Sequence, residues 1–369
     1  MQIDSDATHG ATSEGTRRYR DRFPDLPGHF RWGQSWWLSS IGLGTYLGDP
    51  DADTDAADTA TVQRAVESGI NVIDTAINYR FQRSERSIGA ALTALFEAGH
   101  ARRDEIVIAS KGGYVPFDGG WPPDPDRYIR ETYLDTAIAQ PKDFVNGHCM
   151  TPEYLWYQID QSRRNLGVER IDIYYLHNPE TQLDAIPRYG FRARLRAAFE
   201  FLEDRVKQGW IQYYGTATWN GYRVSPKAGN YLALDDVLAV AREVRGINHH
   251  CRFIQLPLNL AQLEALTARN QRASGEMMSV LEAAQRLGAT VICSATLLQS
   301  RLLGQLPDAL RAQLGGLTTD AQRAIQFARS TPGVTTALVG MSRVDHVDEN
   351  VATARVAPLH AAAFKRLFT

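Results

Sequence analysis

From Ile41 onward the chain alternates between short apolar, β-rich runs and longer windows in which apolar residues recur at helical spacing. The short runs are 41–47, 71–74, 106–110, 171–176, 211–216, 253–258, 290–293 and 335–339; the helical windows are 59–68, 84–97, 152–166, 192–207, 234–244, 277–287, 320–329 and 344–354. Strands alternating with helices predict an α/β fold with a parallel sheet, and eight such units predict closure into a barrel. Several windows stop at glycine, as at Gly69, Gly209 and Gly288, where a residue able to take positive φ ends a helix. Arg163 and Arg164 fall in the last turn of another, where cations suit the helix dipole.

Three segments break the alternation. Residues 1–28 are polar, lack apolar periodicity and are expected to be a flexible N-terminal extension, followed by the barrel over 29–369. Near 30–41, two short apolar runs flank Gly33-Gln34-Ser35 and predict a hairpin that plugs the bottom of the barrel. The connection at about 112–151 is too long for an ordinary loop and carries Tyr114, Phe117, Trp121, Tyr128, Tyr133 and Phe144. It reads either as a substrate lid at the mouth or as a surface excursion held by its own hydrophobic cluster.

Composition narrows the partners. A formal charge of -2 gives no footprint for nucleic acid or an anionic membrane, so a small-molecule partner is expected. Cys149, Cys251 and Cys293 are sparse and lack CxxC spacing, which argues against a disulfide framework or zinc site and for a reducing, cytoplasmic setting. Asp49-Pro-Asp51-Ala-Asp53-Thr-Asp55 lacks the glycine and distal glutamate of an EF-hand and reads as a solvated loop, with Asp58 favouring a helix N-terminus; His249-His250-Cys251 and His148-Cys149 have no closing ligand pair. No metal is expected. No feature of the sequence sets an oligomeric state.

The candidate chemistry stands just past three of the apolar runs: Asp74 and Tyr79 after the second, Lys111 after the third and His177 after the fourth. In a parallel barrel, side chains at the carboxyl ends of successive strands converge on one mouth. A phenol is a poor acid, with an unperturbed pKa of about 10. An ammonium beside it stabilises the phenolate and makes it a better donor; Lys111 would supply that charge, Asp74 would keep Lys111 protonated, and His177 would orient a carbonyl oxygen or share its proton.

Asp74-Thr-Ala-Ile-Asn-Tyr79, followed by Ser84-Glu85-Arg-Ser-Ile88-Gly89 and preceded by Ile41-Gly-Leu-Gly-Thr45, resembles the first motifs of the aldo-keto reductase superfamily. The run from Arg163 to His177 resembles the helix and strand that deliver that family's histidine, and the likeness extends over residues from about 41 to 355. The resemblance implies a (β/α)8 TIM barrel that binds NADP(H) without a Rossmann domain, and a catalytic tetrad of Tyr79, Lys111, Asp74 and His177. In keeping with this, no G-x-G-x-x-G follows a strand, and Gly42 and Gly44 read as close-packing positions.

By the same resemblance Ser342 and Arg343 would grip the 2′-phosphate of NADP, and Glu349 and Asn350 the adenine. A helix starting near Arg343 offers free N–H groups to a phosphate, whereas the plainer reading makes Ser342 a cap and leaves Arg343 in solvent. Asp345 beside them disfavours a doubly charged phosphate. The nicotinamide end departs from the family: Ala217 and Thr218 stand where many members have Ser-Asn, and Ser294 where many have a stacking Tyr. Gln255 fits the remaining carboxamide ligand, and Asn178 is placed to compensate. Tyr46, Tyr114, Trp121 and Trp219 are the candidate substrate contacts. The expected function is reduction of a ketone or aldehyde to an alcohol, or the reverse, on a sugar-like or secondary-metabolite substrate. Two rivals are a redox-neutral nucleotide-dependent enzyme and a nucleotide-sensing subunit like the β-subunits of potassium channels.

Overall fold

The computed structural model describes residues 9–368. Eight strands, Ile41–Gly44, Val72–Asp74, Val107–Gly112, Ile171–His177, Ile211–Ala217, Cys251–Pro257, Thr290–Ser294 and Val334–Gly340, pair in parallel in chain order, and the last closes on the first. This is the (β/α)8 barrel that the alternating pattern predicts.

Strand side chains alternate in direction, so each strand serves two cores. One set, Val72, Val107, Ala109, Ile173, Tyr175, Phe253, Ile292 and Leu338, packs with Trp36 into the barrel interior. The other set, including Ile73, Ile108, Tyr174, Leu176, Ile254 and Val291, meets helix residues such as Val62, Ile88, Leu92, Ile159, Leu195 and Leu202. Each fully buried aliphatic side chain contributes roughly 1.5–3 kcal/mol. Gly42 fits its expected role, since a Cβ there would lie 2.8 Å from both Leu338 Cδ2 and Thr336 Cγ2 on the neighbouring strand.

The helices that cover the barrel begin and end where local chemistry dictates, and three starts differ from the expected ones. The first runs Ala52–Glu67, about two turns earlier than its apolar pattern, because Asp51 caps it by accepting the Thr54 N–H at 2.8 Å. Asp53 and Asp55 are therefore first-turn helix residues and not a solvated loop. Another runs Arg188–Lys207, and Val280–Leu287 starts late because Ser279 and Glu282 form a capping box. Met277 belongs instead to a small hairpin of Gln271–Ala273 with Glu276–Met278.

The base is closed by the predicted hairpin, Phe30–Gly33 paired with Trp36–Ser39. Trp36 is fully buried, with its ring 5.0 Å from Tyr213 and 5.9 Å from Phe253, and its indole N–H donates to the Ala11 carbonyl at 3.0 Å. The segment expected as a flexible extension instead contributes a helix, Ser13–Arg20, capped by Thr12. Its one aromatic, Tyr19, is fully buried against Phe23 and Phe30 and donates its hydroxyl to the Val66 carbonyl. Residues 1–8 of that extension lie outside the described residues.

The long connection between Gly112 and Pro152 gathers a small core, in which its Tyr133, Ala139 and Cys149 are buried with Tyr154 of the helix Pro152–Leu166 beneath Val115, Tyr128, Ile138 and Phe144. It is fastened to the barrel at both flanks: the Gly119 N–H donates to the Phe81 carbonyl at 2.9 Å, and Asn146 to Asp184 at 3.0 Å. The self-clustered excursion is thus the better description of its body, while Tyr114 and Trp121 stand at its edge toward the mouth.

Candidate active site

The same alternation that fills the barrel places the chemistry. Asp74 stands two residues beyond Val72, Lys111 two beyond Ala109, His177 two beyond Tyr175 and Gln255 two beyond Phe253, each the next inward position above an interior core residue. They therefore meet at the carboxyl end. Lys111 Nζ lies 2.5 Å from Asp74 Oδ1, 2.8 Å from the Thr75 carbonyl and 3.3 Å from Tyr79 Oη. The Tyr79 ring packs edge-on to His177 at 5.7 Å.

Electrostatics assigns states to these groups. Burial works against the Lys111 ammonium, but Asp74 and Tyr79 outweigh it and raise its pKa, so the lysine stays charged. His177 is driven well below the usual imidazole range by burial and by the Lys111 charge, so its ring is neutral. For Tyr79 burial raises the pKa and Lys111 opposes it; the net shift is upward, opposite to the lowering expected from the ammonium alone. The phenol therefore holds its proton firmly, and Lys111 limits the cost of giving it up.

Tyr79 is followed by Arg80, Phe81 and Gln82, all at positive φ (47°, 58° and 71°), a region that side chains seldom adopt and that costs of order 1–3 kcal/mol each. Arg80 is buried and anchors the turn, donating to Asp58 Oδ2 and Asp55 Oδ1 at 2.7 Å each and to the Asp49 carbonyl at 2.8 and 3.0 Å. Burial raises Asp58 to about 6 while the Arg80 charge opposes it. The acidic run therefore serves the turn that delivers the phenol.

The cofactor candidates fall into two groups. At the mouth, Gln255 donates to Asp74 Oδ2 at 2.7 Å, so its amide already braces the Asp74–Lys111 pair. Asn178 donates to Tyr114 Oη at 3.4 Å. Thr218 follows Ala217 at the end of the fifth strand, and its hydroxyl is buried without a partner, as is His177 Nδ1. At the eighth strand, Arg343 forms a two-point pair with Asp345, 2.9 and 2.5 Å, with both side chains in solvent. Arg343, not Ser342, occupies the N-cap position of the helix Val344–Ala352; Ser342 is exposed, Glu349 half-buried and Asn350 buried.

Among the substrate candidates, Tyr46 packs edge-on to Tyr79 at 5.0 Å, and Tyr114 packs on His177 at 5.2 Å while its hydroxyl lies 3.0 Å from Thr181 Oγ1. Trp121 packs on Phe81 at 6.3 Å, and Trp219 is partly exposed at the end of the fifth strand. A surface cleft of about 420 Å³ elsewhere, lined by Phe23, Leu26, Arg64, Glu67, Asp348 and Val351 among others, contains none of these residues.

Two residues outside the predicted site shape it: Glu180, and His148, which the sequence offers only as an incomplete metal-ligand cluster. Glu180 is buried and its Oε1 accepts the backbone N–H groups of Trp219, Asn220 and Gly221 at 2.9–3.1 Å, joining the loops after the fourth and fifth strands. His148 reaches the His177 carbonyl from the long connection. Only the position of Glu180 three residues after His177 was a signal for the first; none marked this role for the second. Among the described residues no group of three or more His, Cys, Asp or Glu is placed to hold a metal, and no helix is long and apolar enough to cross a membrane.

This geometry agrees with what the chain is similar to. A D-threo-aldose 1-dehydrogenase of a Pseudomonas species is 26% identical over 306 residues, covering 79% of this chain and 81% of that protein. A probable voltage-gated potassium channel subunit beta of Arabidopsis thaliana is 26% identical over 309 residues, covering 79% and 80%. Among solved structures, an aldo-keto reductase from Klebsiella pneumoniae in complex with NADPH superposes with a TM-score of 0.61 at 21% identity, covering 93% of this chain and 94% of that one. The holo form of an aldo-keto reductase from Bacillus halodurans also gives 0.61, at 20% identity, covering 92% and 95%. The model of the Aldo/keto reductase family matches residues 40–241, more than half of the sequence, and the chain belongs to that family of oxidoreductases.

Proposed function

We propose that this protein is an NADPH-dependent oxidoreductase that converts a ketone or aldehyde to an alcohol, or the reverse, with Tyr79 as general acid. The observation that carries the reading is the buried chain from Gln255 through Asp74 and Lys111 to the Tyr79 hydroxyl, which ends in a single phenolic proton at the barrel mouth.

The residues present fit a nicotinamide nucleotide. The Thr218 hydroxyl and His177 Nδ1 are buried polar atoms without partners at strand ends, and such groups are costly unless a ligand satisfies them. Thr218 and Asn178 would hold the carboxamide end, while Ser342, Arg343, Glu349 and Asn350 would hold the adenosine end. When bound, the nicotinamide supplies or receives the hydride. Tyr79 Oη donates its proton to the carbonyl oxygen, and the Lys111 ammonium stabilises the phenolate that remains. Asp74 keeps that ammonium charged. His177, being neutral, orients the oxygen by hydrogen bonding and does not compete as the acid.

The similarity to a D-threo-aldose 1-dehydrogenase and the aromatic residues flanking the mouth favour a sugar-like or secondary-metabolite substrate. The similarity to a potassium channel subunit beta favours a second reading, nucleotide sensing without rapid turnover. Titration with NADPH and NADH, followed by a carbonyl-substrate screen with product analysis, separates them. The enzyme reading predicts tighter NADPH binding and one NADPH consumed per alcohol formed. Binding without turnover supports the sensor, and product formation without net cofactor consumption supports a redox-neutral reaction.

A further inference from the structure

The geometry points to His148 as the residue that positions His177. This inference rests on the reading that His177 orients the substrate carbonyl. His148 lies near the end of the long connection and is fully buried. Its Nε2 donates to the His177 main-chain carbonyl at 2.8 Å, and its Nδ1 accepts from Gln182 Nε2 at 2.9 Å, which fixes the tautomer. Gln182 also donates to the His148 carbonyl at 2.8 Å, and Arg194 donates to Gln182 Oε1. The order Arg194, Gln182, His148, His177 is a relay from the half-exposed rim to the strand end.

The relay grips His177 on two sides. The Tyr114 ring packs edge-on to both histidines, 5.2 Å from each centroid, so it is wedged between them. Gly113, at φ 148°, lets the backbone pass: a Cβ there would lie 2.5 Å from His148 Nε2. His177 needs such support, because its own Nδ1 has no protein partner and Asn178 after it is at φ 47°, so side-chain hydrogen bonding does not fix where the strand ends. Burial holds His148 neutral, at about 4, so it serves as a fixed donor throughout the working pH range.

The test uses the full chain with NADPH and 4-nitrobenzaldehyde as a carbonyl probe, comparing wild type with His148→Phe, His148→Gln and Tyr79→Phe. Since a misplacement near 1 Å can cost about 100-fold, His148→Phe is expected to lower kcat per bound NADPH by about that factor, equally at pH 6 and pH 8, with the NADPH Kd within about twofold of wild type. His148→Gln, whose amide can still donate, is expected to recover to within about tenfold. If His148→Phe fails to fold, Arg194→Ala at the rim is expected to lower kcat by about fivefold with the same unchanged Kd. Wild-type kcat in the folded His148 or Arg194 variants, beside an inactive Tyr79→Phe, overturns the role of His148 alone. Absence of wild-type turnover, or full activity of Tyr79→Phe, overturns the functional reading and this inference with it.

Discussion

The two ends of the barrel use similar residues to opposite effect. At the base, Asp172 is fully buried and both its oxygens are engaged: Oδ1 accepts the Ala11 N–H at 2.7 Å, and Oδ2 accepts from Ile108 N and Arg103, each at 2.8 Å. At the mouth, Asp74 is as buried, but the lysine it holds points onward to a phenol, and partnerless polar atoms stand nearby at Thr218 and His177. Trp36 seals one end from inside, whereas Tyr46, Trp121 and Trp219 stay open at the other. A buried ion pair that ends on the backbone stabilises; one that ends on a titratable hydroxyl, with unfilled partners around it, is equipped for a ligand.

Breaking one pair at each end sharpens this contrast most. Lys111→Met should lower kcat at least about 1000-fold, since it removes the charge that supports proton donation. It should also cost about 3–5 kcal/mol of stability by leaving Asp74 buried and unpaired, measured by denaturant unfolding. Asp172→Ala should cost a similar 3–5 kcal/mol, with kcat per folded molecule unchanged. Loss of activity in the Asp172 variant at full folding would erase the distinction.

A smaller effect concerns His29 at the base, whose Nε2 donates to the Gly69 carbonyl and whose Nδ1 accepts from the Ser40 hydroxyl, and which is held by burial and Arg329 at about 3. The unfolded chain protonates this ring near pH 6.5 while the folded chain does not, so its contribution to stability is lost as pH falls below 6.5. Relative to His29→Gln, wild type should therefore lose about 2 kcal/mol between pH 7.5 and pH 5. A gap that is constant with pH would show that His29 protonates in place.

The smallest expected effect lies at the rim. Asp345 occupies Arg343 through an exposed pair and would repel a 2′-phosphate. Asp345→Asn should tighten NADPH binding by about fivefold and leave NADH unchanged, read by cofactor fluorescence. Equal changes for both nucleotides would place the phosphate elsewhere.

Much of this was legible in the sequence. The strands, the plug and the positions of Asp74, Lys111 and His177 follow from local periodicity, because a residue two positions past an inward-facing apolar one shares its direction. What escaped was tertiary. Arg80 is an ordinary surface residue by composition, yet it holds three residues in left-handed conformation through Asp55 and Asp58. The helix Ser13–Arg20 carries one buried aromatic among polar residues, too few to show a period. His148 lies 29 residues before the strand end it supports, and nothing in its neighbours announces the contact.

The most direct test of the account is a single-turnover measurement with NADPH already bound, comparing wild type and Tyr79→Phe on one carbonyl substrate. If Tyr79 is the proton donor, the variant keeps its NADPH affinity and loses cofactor oxidation by a factor of about 100 or more. Oxidation at the wild-type rate in Tyr79→Phe would contradict it, because the proton would then come from another group.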